Sequence, residues 1–270
     1  MPASPKFTGQ LKGKKVVIVG GSSGIGFGVA QAAVEEGAHV IVSSSSQEKV
    51  DRAIARLNDA EQQYNADASR VSGHTVNLAG PKAEASLTAF FKQVGSFDHL
   101  IYTAGDAPKT LPLKDHTFQT ISEAGQVRFI GYVLANAILA VKTAVYGGHL
   151  QEGGSVVITL GAVYHYPVPD WTVVAGYAGG LSAVVRSLAF ELSGRNIRVN
   201  GVSPGPVKTE MYQEAPEDFL NKLASSVLTG RLAVPADIAA TYLGLLKSPS
   251  ITGEIINDDS GSYAPKQERR

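Results

Sequence analysis

Lys15-Val-Val-Ile-Val19 runs straight into Gly20-Gly-Ser-Ser-Gly24-Ile-Gly26, and a helical pattern from Phe27 to Glu36 follows, closed by Gly37. A short, continuously apolar, β-branched run is the pattern of a strand buried on both faces of a parallel sheet. Ala38-His-Val-Ile-Val-Ser43 repeats that pattern. Strand, glycine turn, helix and strand thus fit within the roughly 30 residues of a βαβ unit. The glycines divide the work. Gly20 allows the tight turn out of the strand, Gly24 lets backbone approach a pyrophosphate, and Gly26 lets the helix pack closely on the sheet. The helix start offers unpaired N–H groups and a positive dipole end to phosphates. Many glycine-rich turns are only tight turns, but this one sits between a buried strand and an amphipathic helix. Gly20, Ser22, Ser23, Gly24, Ile25 and Gly26 are therefore the expected phosphate-side contacts of a dinucleotide.

The end of the second strand selects the cofactor. A site for NAD usually places a carboxylate there for the ribose 2′-OH. Here the strand ends in Ser43-Ser-Ser-Ser46, with Lys49 and Arg52 on the next helix. No carboxylate repels a 2′-phosphate, and hydroxyls with two cations can hold one, so NADP is expected, with Ser44 and Ser45 as contacts. The alternative is a polar loop beside a solvated helix face.

Strands and helices alternate through the remaining chain. Lys49–Asn65 reads as a helix, Gly73–Leu78 as a third strand, Lys82–Val94 as a helix and Asp98–Thr103 as a fourth strand ending in Ala104-Gly105. Small residues at that end leave room for a flat ligand. Phe118–Tyr146 reads as a long helix broken by Gly147-Gly148, Ser155–Leu160 as a fifth strand and Val173–Leu192 as a helix. Asn196–Val202 is a sixth strand, 206–230 a less regular lobe expected to cover a substrate, Pro235–Leu246 a helix and Gly253–Asn257 a last strand. No repeat, linker or composition break interrupts the series. The expectation is an α/β fold with a doubly wound parallel sheet, Rossmann-like, in a single domain over 1–270.

Composition narrows the function classes. In 270 residues, 44% are apolar, and 24 basic side chains balance 24 acidic ones. Zero formal charge argues against nucleic acid or an anionic membrane as the main partner. Absence of cysteine excludes disulfides, thiolate metal sites and cysteine nucleophiles. Met1–Lys15 is polar without the apolar run of a secretion signal, and the apolar run Phe129–Val141 is too short to span a bilayer. A cytoplasmic location is expected. Expected partners are a small-molecule substrate and further copies of the chain in a homo-oligomer, dimer or tetramer.

Together these motifs resemble the short-chain dehydrogenase/reductase family over about residues 12–262. The glycine turn matches, as do Tyr102-Thr-Ala-Gly105 for the family's Asn-Asn-Ala-Gly and Asn200-Gly-Val-Ser-Pro-Gly205 for its Asn-x-Val-x-Pro-Gly. The resemblance implies cofactor contacts at Asn77, Leu78, Ala104, Gly105, Pro204, Gly205, Val207 and Thr209, the last at the position that usually touches the nicotinamide amide. Gly230-Arg231 through Pro235 and Asp258-Asp-Ser-Gly261 match its C-terminal landmarks.

The family's Ser-Tyr-Lys-Asn tetrad does not match. Taking Tyr177 as the Tyr places Leu181 at the Lys position. Aligning Gly179–Ala183 and Arg186–Ala189 without a gap places Val174 at Tyr and Ala178 at Lys, and counting back thirteen from Val174 reaches Gly161 for Ser. Arg128 stands where the Asn belongs. Reducing a carbonyl leaves charge on oxygen, which the family's Tyr neutralises with a proton. Val174 and Ala178 cannot do so. A cationic acceptor such as an iminium needs no proton donor, and a cofactor can also shape a cyclisation by positioning.

A mid-helix Arg128 is costly unless paired, and Asp170 in the loop Tyr164–Trp171 is the candidate partner, with Trp171 against a flat substrate. Arg128, Asp170 and Trp171 are thus the expected catalytic set. Arg128 facing solvent or an oligomer partner, and the aromatics forming a simple lid, remain alternatives. His165 and Tyr177 are further acid/base candidates. The combination resembles fungal indole-alkaloid reductases that lost the tetrad and couple NADPH reduction of an iminium or azadiene to Diels–Alder closure. The expected function is an NADP(H)-dependent reductase or reductive cyclase acting on a nitrogen-containing apolar molecule. The alternatives are a carbonyl reductase using Tyr177 and a silent NADP-binding scaffold or sensor. No metal site is expected.

Overall fold

The computed structural model describes residues 9–59, 67–105, 110–121 and 131–262. Seven strands form one parallel sheet: β1 (Lys15–Val19), β2 (His39–Ser44), β3 (Val71–Thr75), β4 (Phe97–Tyr102), β5 (Leu150–Thr159), β6 (Arg198–Pro204) and β7 (Ile255–Asp258). Their order is β3-β2-β1-β4-β5-β6-β7. Val16 pairs with Val40 on one side and His99 on the other. The winding direction therefore reverses between β1 and β4, which opens a crevice at their C-terminal ends.

Helices cover both faces: α1 (Gly24–Glu35), α2 (Gln47–Leu57), α3 (Ala83–Val94), α4 (Gly131–Tyr146), α5 (Thr172–Glu191), α6 (Glu217–Ser226) and α7 (Pro235–Lys247). The alternating side chains of β1 explain the two layers. Val16 and Ile18 enter a core with α1 and α7, while Val17 and Val19 enter a second core with α3, α4 and α5. All four are fully buried, each worth roughly 1.5–3 kcal/mol relative to exposure. This is why the run carries no polar alternation.

Element ends move in several places, β6 to Arg198–Pro204 and β7 to Ile255–Asp258 among them. The third strand spans Val71–Thr75, not Gly73–Leu78, so Asn77 and Leu78 lie in the loop beyond it. Asp67 starts this segment by accepting from Ser69 N at 2.9 Å, and the strand then pairs with β2 from Val71. The fifth strand begins at Leu150, five residues early, because an irregularity between Phe97 and His99 absorbs the extra length. The helix expected over Lys49–Asn65 begins at Gln47, where Ser46 accepts from Lys49 N, and is described to Leu57. Of the helix expected over Phe118–Tyr146, residues 122–130 lie outside the described residues.

At 20 residues, α5 is long and apolar enough to cross a bilayer by length and composition, a feature the Phe129–Val141 run does not capture. Its Leu181, Val185 and Ala189 side chains instead pack into the second core.

Candidate active site

The turn from β1 into α1 shapes the crevice. Gly20 has a φ of +94°, which favours glycine, and a Cβ there would come within 2.6 Å of Ala104 N. A Cβ on Gly26 would overlap the Gly20 carbonyl and Thr103 Oγ1. Thr103 Oγ1 completes the corner by donating to Val19 O at 3.2 Å or Gly20 O at 3.1 Å. Turn, helix and the end of β4 are thus locked together at glycine-only distances.

Above this corner lies a cavity of ≈540 Å³, open to solvent. Gly20, Ser22, Ser23, Gly24, Ile25 and Gly26 form one wall. Ser44, Ser45 and Lys49 line it at the end of β2, with Asn77 and Leu78 beside them. Ala104, Gly105, Pro204 and Thr209 continue around the opening. Ser22 Oγ donates to Ser44 Oγ at 2.9 Å, tying the glycine turn to the end of β2. Of the other polar groups expected there, Ser43 is fully buried and Ser46 caps α2. Arg52 is paired with Glu48 on the same helix. Lys49 is therefore the cation of the pair that stands on the cavity wall.

Four expected contacts are placed differently. Gly205 is a close-packing residue: a Cβ there would meet Asp259 O at 2.6 Å. Val207 is buried in the first core and bridges to Ala233. Neither is part of the cavity wall, and neither are Asp170 and Trp171. Asp170 is exposed, with a left-handed φ of +68°, and its carbonyl accepts from Leu111 N at 3.0 Å. Trp171 is half-buried at the start of α5. Arg128 lies outside the described residues, so an Arg128–Asp170 pair falls outside them as well.

Among the described residues, the positions of the family's Ser, Tyr and Lys hold no proton donor. Val174 and Ala178 are 8% and 7% exposed on the inner side of α5, and Gly161 leads into a short 3₁₀ turn after β5. Tyr177 is half-buried outside the cavity wall. Burial pushes the Tyr102, Tyr212 and Tyr242 phenols above their ordinary range, so none of these is poised as an acid near neutral pH.

The cavity also holds residues that the sequence pattern did not flag. Thr159 and Leu160 close it at the end of β5, Val133 and Asn136 come from α4, and Glu210 and Met211 from the segment after β6. Asn136 is a lone buried polar residue in an apolar helix run, a signal visible only once the helix face is known. Its Nδ2 donates to Leu78 O at 2.8 Å, fixing the loop after β3.

The donor set fits a dinucleotide. The test is the start of α1, where Glu210 Oε2 accepts from Gly24 N at 2.8 Å. The chain's own carboxylate occupies the place where a helix N-terminus binds phosphate, so an anion is accommodated there.

A family model described as an SDR-like Rossmann domain matches residues 7–264. The short-chain dehydrogenase/reductase fsr5 of Gibberella fujikuroi is 35% identical over 275 residues, covering 97% of this chain and 99% of that protein. The short-chain dehydrogenase/reductase malC of Malbranchea aurantiaca is 32% identical, covering 93% and 95%. The solved structure of MalC, described as a reductase/Diels–Alderase, superposes with a TM-score of 0.83 at 30% identity, covering 96% of this chain and 99% of that one. With its glycine corner and seven-stranded sheet in place, the chain belongs to the short-chain dehydrogenase/reductase family, whose members are oxidoreductases using nicotinamide cofactors.

Proposed function

We propose that this protein is an NADPH-dependent reductase of a cationic C=N group, such as an iminium, in a largely apolar small molecule. The carrying observation is the contrast between the two halves of the site. The nucleotide half has its glycine corner, serines and Lys49, whereas Val174 and Ala178 stand where the family's proton donor and its lysine belong. NADPH, when bound, supplies hydride. Ser44, Ser45 and Lys49 favour the 2′-phosphate, and the start of α1 holds the pyrophosphate. Val133, Leu160 and Met211 give the far end an apolar lining, which suits a flat apolar acceptor. An iminium carbon that gains hydride becomes a neutral amine and leaves no oxyanion to protonate, so the missing Tyr and Lys cost nothing in that reaction.

A second reading, reductive cyclisation, is favoured by the likeness to a structure described as a reductase/Diels–Alderase. In that case the same cavity folds the reduced product for ring closure by positioning. Reduction by Tyr177 is disfavoured because that residue is not part of the cavity wall.

Fluorescence titration with NADPH and NADH tests the cofactor assignment, and equal affinity for both overturns it. Parallel panels of cyclic iminium salts and simple ketones, each with NADPH, test the chemistry. Iminium turnover with inert ketones is expected; ketone turnover that vanishes in Tyr177→Phe would transfer the reaction to the family's usual type.

A further inference from the structure

A hydroxyl pair lies beside the cavity, and its role rests on the NADPH reading above. Thr159, the last residue of β5, is half-buried on the cavity wall, and its Oγ1 lies 2.6 Å from the phenol oxygen of Tyr242 on α7. Either oxygen can donate by distance alone, but burial decides. Tyr242 is fully buried, and among the described residues its hydroxyl has no hydrogen-bonding partner except Thr159. If Thr159 donated, the phenol hydrogen would be buried with no acceptor, an arrangement that proteins avoid. If Tyr242 donates, the buried phenol is satisfied and Thr159, on the cavity wall, keeps its own hydrogen to donate. Because burial raises the Tyr242 pKa, the phenol stays protonated and keeps donating across the working pH range.

We propose that Thr159 is a hydrogen-bond donor aimed by Tyr242 at an acceptor oxygen on the nicotinamide half of the bound cofactor. Position selects that half. Thr159 lies at the end of β5, two strands beyond the β1 corner, whereas Ser44, Ser45 and Lys49 line the opposite end after β2. Thr103, a nearer hydroxyl, already donates into the corner backbone. Thr159 thus binds the cofactor directly, and Tyr242 is a positioning residue acting through it. The pair gives this site a fixed donor on the α7 side of the sheet, while the α5 side presents Val174 and Ala178.

The test compares NADPH with adenosine 2′,5′-bisphosphate, which lacks the nicotinamide half, on the full chain. Binding of each is measured by fluorescence or calorimetry for wild type, Thr159→Val, Thr159→Ser and Tyr242→Phe. Thr159→Val and Tyr242→Phe are expected to weaken NADPH by roughly 3–10-fold, the worth of one neutral hydrogen bond. Adenosine 2′,5′-bisphosphate binding stays unchanged, Thr159→Ser restores NADPH affinity, and the double variant Thr159→Val/Tyr242→Phe is no weaker than either single one. Unchanged NADPH affinity in Thr159→Val, or an equal loss for both probes, overturns the inference. Failure of the wild type to bind NADPH would instead overturn the reading on which it rests. Melting temperatures recorded alongside identify a variant that has merely lost stability, and Thr159→Ser then decides the outcome.

Discussion

At the scale of single residues, His99 shows how little a functional-looking side chain reveals without its surroundings. It sits on β4, 7% exposed, with Nδ1 2.9 Å from the fully buried Ser155 Oγ. Burial outweighs the attraction of neighbouring Asp98 and lowers its pKa from 6.5 to about 4. Between those values the unfolded chain binds a proton that the folded chain refuses, so this residue's contribution is present above pH 6.5 and is lost as pH falls toward 4. Denaturant titrations from pH 4 to 7 should show stability rising by up to ~1.4 kcal/mol per pH unit from this group. In His99→Gln that part of the slope should disappear; an identical slope in the variant would contradict the assignment. The same scale separates what sequence shows from what it hides. Gly20 and Gly26 were legible because strand, turn and helix are neighbours in the chain. The Thr159–Tyr242 pair was not, since its partners are 83 positions apart and meet only when α7 packs on β5.

At the scale of elements, α1 and the segment after β6 share one anion position. Glu210 holds Gly24 N at 2.8 Å and lies 3.9 Å from Arg56, with the carboxylate about half exposed. A dinucleotide pyrophosphate at the start of α1 must displace it and carries the same sign of charge. Glu210→Gln should therefore bind NADPH about 2–5-fold more tightly, the range of one charge at a helix N-terminus, with the gain shrinking at high salt. Fluorescence titration at two ionic strengths checks this, and weaker binding would mean that Glu210 supports the cofactor rather than competing with it. Element legibility followed burial. β1, β2 and β5 carry unbroken apolar runs and were readable, although β5 starts at Leu150. β3 reads Val71-Ser-Gly-His-Thr75 at the edge of the sheet, so its polar half gave no period, and the strand was placed two residues late. The nucleotide end of the cavity followed from strand ends alone. Its far end did not, because Val133, Asn136 and Met211 come from three-dimensional packing.

At the scale of the whole molecule, the outer faces of α4 and α5 carry exposed apolar side chains. Ile138 and Tyr146 on α4 and Phe190 on α5 are exposed, Phe190 to 83%. Gly176, Ala183 and Ser187 flank Phe190 along the same exposed side of α5 and leave it flat enough for another helix to approach. We infer that a second copy covers this face in a homo-oligomer. Sedimentation of the wild type should give a dimer or tetramer, and Phe190→Glu should shift it to a smaller species with little change in melting temperature. A wild-type monomer, or an oligomer indifferent to Phe190→Glu, would contradict this.

Hydride delivery without the family's tyrosine is what separates the proposed reaction from the family's usual one. Its most direct test is NADPH carrying deuterium at nicotinamide C4, incubated with a cyclic iminium that the panel shows to turn over, with products weighed by mass spectrometry. One stereospecific C4 deuterium in the amine product per turnover, unchanged in Tyr177→Phe, is the predicted result. Amine lacking the label with deuterium at either C4 face, or label that disappears with Tyr177→Phe, would contradict it.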